Sequence, residues 1–486
     1  MELGPDNKAR MLIGGELVEA EAGGWIEAIN PATEEVIGYI PDGQTADVDK
    51  AVAAAKAAQP DWAARPVAER IELLCKLGDW ITRRGEEIVR AETQDNGKTI
   101  NALRRSLIYY PKLIAQDAAL AVEVRGATVP ASPGNLHYTL REPYGVVGVI
   151  APFNHAFAFA ILGTVPPCVM GNAVVLKCPE TSSLASTIFG EICAEVLPPG
   201  VANFITGYGE TAGDAIVHHP DIKRIAFTGS EETGRIIQKS AAECGVKHVS
   251  LELGGKNPLI VFPDADIDKA VDGAVRGMNF AWQSQSCGST SRVLLHESVH
   301  DDFVAKLVET VSAIRVGNPM DEASDMGPIN SPEQYEKVMG LIASARDEGA
   351  KLITGGKRPT GAEFERGYWV EPTVFTGVTQ DMRIANEEVF GPVISVLKWH
   401  DTEDMIAMAN ATKYGLTASI WTKDLETAHK TAQRIQSGYI WINNASDHYA
   451  GMPFGGYKSS GIGRQEDGVA ELLTYTEEKS VNVILG

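Results

Sequence analysis

The sequence predicts an α/β protein built of two strand–helix halves, and three features of it lead there. From about Tyr144 onward, short continuous apolar runs alternate with helical stretches. Runs of that kind mark parallel strands buried on both faces, whereas a half-exposed antiparallel strand alternates apolar with polar. A second series of strand–helix pairs begins near Asn257, and no flexible linker separates the two series, so they are expected to pack tightly with a cleft between them. At 486 residues the chain also exceeds what one ordinary core can organise.

Residues 45–125 read mainly as helix, with apolar positions at helical spacing through DVDKAVAAAKAAQPDW and AERIELLCKLGDWITRRGEEIVRAE. The first strands follow as YGVVGVIAP (144–152), NAVVLKC (172–178), ANFITG (202–207), RIAFTGS (224–230) and HVSLELGG (248–255). Helices are expected between them over 182–197, 210–218 and 230–243. The second half opens with NPLIVF (257–262), a helix over 266–280, the loop SQSCGST, the strand SRVLLHE (291–297) and a helix over 298–314. It runs on to YIWIN (439–443) and a glycine-rich loop, PFGGYKSSGIGR (453–464). HYTLREP (137–143) reads as a projecting hairpin strand and YTEEKSVNVIL as a last strand.

Composition narrows the function. With 44% hydrophobic and 22% charged residues the chain is globular, and it has no run of 18 apolar residues, so a membrane span is not expected. The start, MELGPDNKAR, carries neither a secretory nor a transit signature, which makes cytoplasmic the default location. A net charge of −21 disfavours nucleic acid, although backbone N–H groups and one lysine still suffice to bind a small anionic cofactor. The six cysteines, at 75, 168, 178, 193, 244 and 287, form no CxxC or Cys/His pattern, so no metal site is expected.

Several residues stand out for their chemistry. Cys287 lies among small polar residues in QSQSCGSTSR, a setting that suits an accessible thiol nucleophile as well as an incidental cysteine. Glu252, ending an apolar strand in VSLELGGKNP, is either a desolvated general base or a carboxylate paired with Lys256. Asn154 in VIAPFNHAF could donate to an oxyanion with the Cys287 N–H, or cap the next helix. Lys177 and Glu180 of VVLKCPE end a buried strand where open α/β sheets bind ligands. In FTGSEETG, Ser230 and its backbone open a helix and could meet a pyrophosphate. That glycine spacing is neither GxGxxG nor a P-loop, so a plain glycine turn is the competing reading.

Taken together and in order, FNHAF, VVLKCPE, FTGSEETG, LELGGKNP, QSQSCGSTSR, NEEVFGPV, WIN and PFGGYKSSGIGR strongly resemble the aldehyde dehydrogenase superfamily, from about residue 10 to the end. The resemblance implies two Rossmann-like α/β domains plus a small β oligomerisation element. NAD binding would fall to 1–120 and 144–252, catalysis to 253–466 and oligomerisation to 121–143 and 467–486. Cys287 would attack the aldehyde, Asn154 and the Cys287 N–H would hold the oxyanion, and Glu252 would activate the water that hydrolyses the thioester. That base favours a free acid over acyl transfer to coenzyme A.

By the same resemblance Lys177 and Glu180 meet the adenosine ribose, Phe227, Gly229 and Ser230 the pyrophosphate region, and Glu388 and Phe390 the nicotinamide end. Glu180 would repel a 2′-phosphate, so NAD is expected ahead of NADP. The pocket would be lined by His155, Ala158, Leu162, Ser286, His448 and Phe454, with room for a bulky or aromatic aldehyde. Three departures touch the site: His155-Ala156 in place of Phe-Pro, the sequence Ser286-Cys287-Gly288 in the loop, and Gly163 where a lysine is often found. A homodimer or homotetramer is expected. Competing readings are a semialdehyde or aminoaldehyde dehydrogenase of the same mechanism, for which spacing identifies no arginine anchor or acidic cage, and an inactive binding member of the family.

Overall fold

The computed structural model describes residues 4, 6–464 and 468–485. Residues 1–3, 5, 465–467 and 486, which the domain ranges above include, lie outside the described residues.

The five strands expected in the first half form at Val146–Ile150, Ala173–Lys177, Ala202–Ile205, Ile222–Thr228 and His248–Glu252. They lie parallel in one eight-stranded sheet. Val146–Ile150 and Ala173–Lys177 are buried along their whole length, as apolar runs without alternation require. Apolar clusters cover the sheet on both faces, one including Trp62, Phe157 and Phe189, the other Val52, Ile216 and Leu253.

Chain order departs from spatial order in one informative place. From Val146–Ile150 the chain builds outward through 173–177 and 202–205, then returns to the opposite flank with Ile222–Thr228. The carboxyl ends of those two adjacent strands therefore border a topological switch point, where open α/β sheets bind ligands. The edges are closed antiparallel, by Met11–Ile13 beside Ala202–Ile205 and by Gly461–Ile462 of the glycine-rich loop beside His248–Glu252. Short strands at Met11–Ile13, Glu16–Val18, Trp25–Asn30 and Glu35–Pro41 precede the helical region. The sequence gives no clear signal for them.

The helical region divides into Thr45–Ala64, Val67–Arg83, Gly85–Asn96 and Ile100–Leu120. The second half holds a seven-stranded sheet, in spatial order 351–354, 373–376, 393–399, 292–296, 258–261, 417–421 and 439–442. All its pairings are parallel except the first. Asn135–Pro143 and Thr476–Ile484, remote in sequence, pair antiparallel over their full length, and Thr128–Val129 adds a third strand. Leu136, Leu140, Val129 and Ile484 on this small sheet are exposed. No helix among the described residues is long and apolar enough to cross a membrane.

Candidate active site

Cys287 leaves the helical turn Phe280–Trp282 by a tight loop in which Gln283 and Ser284 both have positive φ. Its side chain is partly buried against Leu416, Tyr439, Trp441 and Phe454, and it opens on a cavity of about 400 Å³. Asn257, 1% exposed, fastens this loop. Its Nδ2 donates to the Cys287 carbonyl at 2.7 Å and to that of Ser289 at 2.9 Å, while its Oδ1 accepts the Thr417 N–H at 3.0 Å. Replacing Asn257 with alanine strands three buried backbone groups, so we expect a loss of about 2–4 kcal/mol in a urea melt together with a reduced turnover rate. An unchanged midpoint would contradict this.

Asn154 follows the strand Val146–Ile150 but caps nothing, because the helix Ala156–Leu162 has His155 at its N-cap position. The amide instead donates from Nδ2 to the Gln285 carbonyl at 3.0 Å, two residues before Cys287. An amide carries two donor hydrogens, so one anchors the loop and the other remains to act.

Glu252 ends the strand His248–Glu252 and is 3% exposed. Its carbonyl accepts the Gly229 N–H at 3.0 Å, which joins the FTGS turn to this strand. The carboxylate lies against the glycine-rich loop, where a Cβ on Gly455 would stand 2.8 Å from Glu252 Oε1. The pairing with Lys256 does not form, since Lys256 makes no ion pair among the described residues and its Nζ has no hydrogen-bond partner. Burial, reinforced by the Arg292 charge, pushes that amine down to about 7.

The two glycines after Glu252 carry further contacts. A Cβ on Gly254 would clash with Glu388 Oε2, and one on Gly255 would stand 2.5 Å from the Cys287 carbonyl oxygen. At 255 the obstacle is backbone and glycine is required, whereas at 254 the Glu388 carboxylate would have to move aside. The Gly255 N–H donates to Glu388 Oε1 at 2.8 Å, and burial raises that carboxyl above its ordinary range. Phe390 stands at φ +53°, a left-handed conformation that Gln334 secures by donating to the Val389 and Phe390 carbonyls at 3.0 and 2.9 Å. Its ring meets Phe153 edge-on at 5.8 Å.

On the cofactor side, Lys177 is buried at the carboxyl end of its strand, with its ammonium on the half-exposed Glu180 carboxylate. Ser230 caps the 14-residue helix Glu231–Cys244 by accepting the Thr233 N–H at 3.1 Å. Unpaired N–H groups at such an end attract phosphate oxygens. Phe227 differs from its neighbours, because its ring is 5% exposed and packs beneath Gly229. What that segment presents to a ligand is backbone. A buried lysine, a carboxylate and a helix N-terminus at the switch point fit a dinucleotide's ribose and pyrophosphate.

The cavity at Cys287 is lined by all six residues expected there: His155, Ala158, Leu162, Ser286, His448 and Phe454. Sequence reasoning missed much of its remaining wall. Arg105, Tyr109, Tyr110 and Leu113 present one face of the helix Ile100–Leu120, and Trp282 and Trp441 complete the aromatic lining. The only available signal was the helical spacing of those positions, 105, 109 and 113 at intervals of four with 110 beside them, which equally describes a core-facing stripe. Gly163 abuts Leu176 and Val149, each 2.8 Å from where its Cβ would be, so this packing has no room for a larger residue. No cluster of His, Cys, Asp and Glu suited to a metal occurs among the described residues.

Similarity to known proteins gives the family. A family model described as aldehyde dehydrogenase family matches residues 17–481. Aldehyde dehydrogenase tropH of Talaromyces stipitatus is 42% identical over 467 residues, covering 95% of this chain and 90% of that protein. The NAD⁺ complex of an aldehyde dehydrogenase from Bacillus cereus superposes with a TM-score of 0.96 at 40% identity, covering 99% of this chain and 97% of that one. PnpE of Pseudomonas sp. WBC-3, solved in complex with nicotinamide adenine dinucleotide, gives 0.96 at 39% identity and 98% coverage of both chains. The chain belongs to the aldehyde dehydrogenase family of NAD(P)-dependent oxidoreductases.

Proposed function

We propose that this protein oxidises a bulky or aromatic aldehyde to its carboxylate with NAD⁺, through a thioester on Cys287. The observation that carries this reading is the placement of the thiol at the edge of a 400 Å³ aromatic cavity, beside an asparagine amide bonded to its own loop.

The Cys287 thiolate adds to the carbonyl carbon, and the free Asn154 hydrogen with the Cys287 N–H stabilises the oxyanion. Glu388 and Phe390 would hold the nicotinamide, which would supply the acceptor for the aldehyde's hydride. Collapse of the oxyanion leaves an acyl group on sulfur. Glu252 then takes a proton from water, the hydroxide oxygen bonds to the acyl carbon, and the Cys287 thiolate departs. Aldehyde, NAD⁺ and water thus give carboxylate, NADH and two protons. Asn257 keeps the thiol in register throughout. Growth of NADH absorbance with aromatic and long-chain aldehydes tests the reading. Acetaldehyde outpacing them would refute the bulky-substrate preference, and silence towards every aldehyde would indicate a binding-only protein.

Lys177 and Glu180 hold the adenosine ribose, the Gly229–Ser230 turn the pyrophosphate, and Glu388 and Phe390 the nicotinamide end. The half-exposed Glu180 carboxylate supports a preference for NAD⁺, since it accepts from ribose hydroxyls and repels a 2′-phosphate. Glu180→Gln should raise the NADP⁺ to NAD⁺ ratio of kcat/KM about tenfold, one decade being about 1.4 kcal/mol. An unmoved ratio would contradict this role.

The division into an NAD-binding part (1–120 and 144–252), a catalytic part (253–466) and an oligomerisation element (121–143 and 467–486) is our reading of the two sheets and the small third one. The exposed apolar residues of the third sheet support a homodimer or homotetramer. Light scattering should return a multiple of the 52.1 kDa chain, and a monomer would overturn that assignment.

A further inference from the structure

His155 is held by a buried ion pair. Lys98 and Glu92 are 1% and 2% exposed, and Lys98 Nζ lies 3.2 Å from Glu92 Oε1 and 3.0 Å from His155 Nδ1. Burial lowers the Lys98 pKa, but the Glu92 carboxylate beside it favours the ammonium, which has hydrogens to donate and no lone pair to accept with. His155 Nδ1 is therefore the acceptor, and the single proton of a neutral ring resides on Nε2. Burial first, then the Lys98 charge and His448, hold the imidazole well below its ordinary pKa, which keeps the ring neutral.

The ring lines the cavity, edge-on to Trp282 at 4.6 Å, and its Nε2 has no hydrogen-bond partner among the described residues. The wall thus offers a fixed N–H donor backed by the buried Lys98–Glu92 ion pair. Arg105 lies in the same lining, exposed, and among the described residues its guanidinium forms no ion pair or hydrogen bond. No aspartate or glutamate occurs in the described lining. A cationic substrate would find no counter-charge there, and an aminoaldehyde is disfavoured accordingly.

We propose that His155 and Arg105 are specificity-determining residues that select aldehydes bearing an anionic oxygen group, a carboxylate or phenolate, remote from the carbonyl. Lys98 acts as a positioning residue, fixing the tautomer through which His155 donates. This rests on the reading of the Cys287 cavity as the aldehyde site.

The test compares kcat/KM for 4-formylbenzoate with that for its neutral methyl ester. The wild-type ratio exceeds one. Because a hydrogen bond to a charged group is lost, His155→Phe and Arg105→Gln each lower the ratio about ten- to a hundredfold, mainly through KM for the anion. His155→Gln, which keeps an N–H donor, restores part of it, and a residue needed only for packing would not respond in this way. A wild-type ratio at or below one, or a ratio that survives both substitutions, overturns the proposal. Turnover of both aldehydes without preference sinks this inference alone, whereas turnover of neither also sinks the proposed function.

Discussion

Cys287→Ala is expected to abolish aldehyde-dependent NADH formation, with a loss of at least about a thousandfold in kcat/KM. Alanine keeps the backbone N–H and the carbonyl that Asn257 grips, so the loop geometry persists while the bond-forming atom is gone. The thiol is only partly buried, at the edge of a cavity, so removing it leaves little void to destabilise the fold. The variant should therefore retain its unfolding midpoint and still bind NADH, read by fluorescence. A variant that reduced NAD⁺ at the original rate would remove the basis of the mechanism.

Glu252→Gln is expected to separate the two halves of the reaction. Attack and hydride departure need the thiol and the Asn154 donor, whereas deacylation needs a base for water. Stopped-flow absorbance should show a burst of NADH close to one per active site. A steady state slower by about 10²–10⁴-fold should follow, the range general-base catalysis supplies. Glutamine nearly preserves the shape that fits against Gly455 and Gly461, so the glycine-rich loop should keep its place. Loss of the burst itself would assign Glu252 to the first half-reaction instead.

The alternation of strand and helix was legible because parallel strands leave a direct trace, an unbroken apolar run such as Val146–Ile150. The strands before Thr45 left no such run: two have only three residues, and Trp25–Asn30 and Glu35–Pro41 mix buried with exposed positions. In the site, Glu252 and Asn154 were visible as polar residues at the ends of apolar strands, and Cys287 as a thiol in a loop of small polar residues. Asn257 was not, since it acts through bonds to Cys287, Ser289 and Thr417, residues 30 to 160 positions away. Arg105 was hidden for a similar reason: an arginine on an amphipathic helix reads as a solvated charge until the fold brings that face to the cavity. His155 was conspicuous as a departure, yet its neutral donor state depends on Lys98, 57 residues distant, meeting it in space.

The mechanism we propose places an acyl group on the sulfur of Cys287. Glu252→Gln mixed with NAD⁺ and an aromatic aldehyde, acid-quenched and digested, should show the acyl mass on the peptide carrying Cys287. An unmodified Cys287 peptide after a full burst of NADH would contradict it.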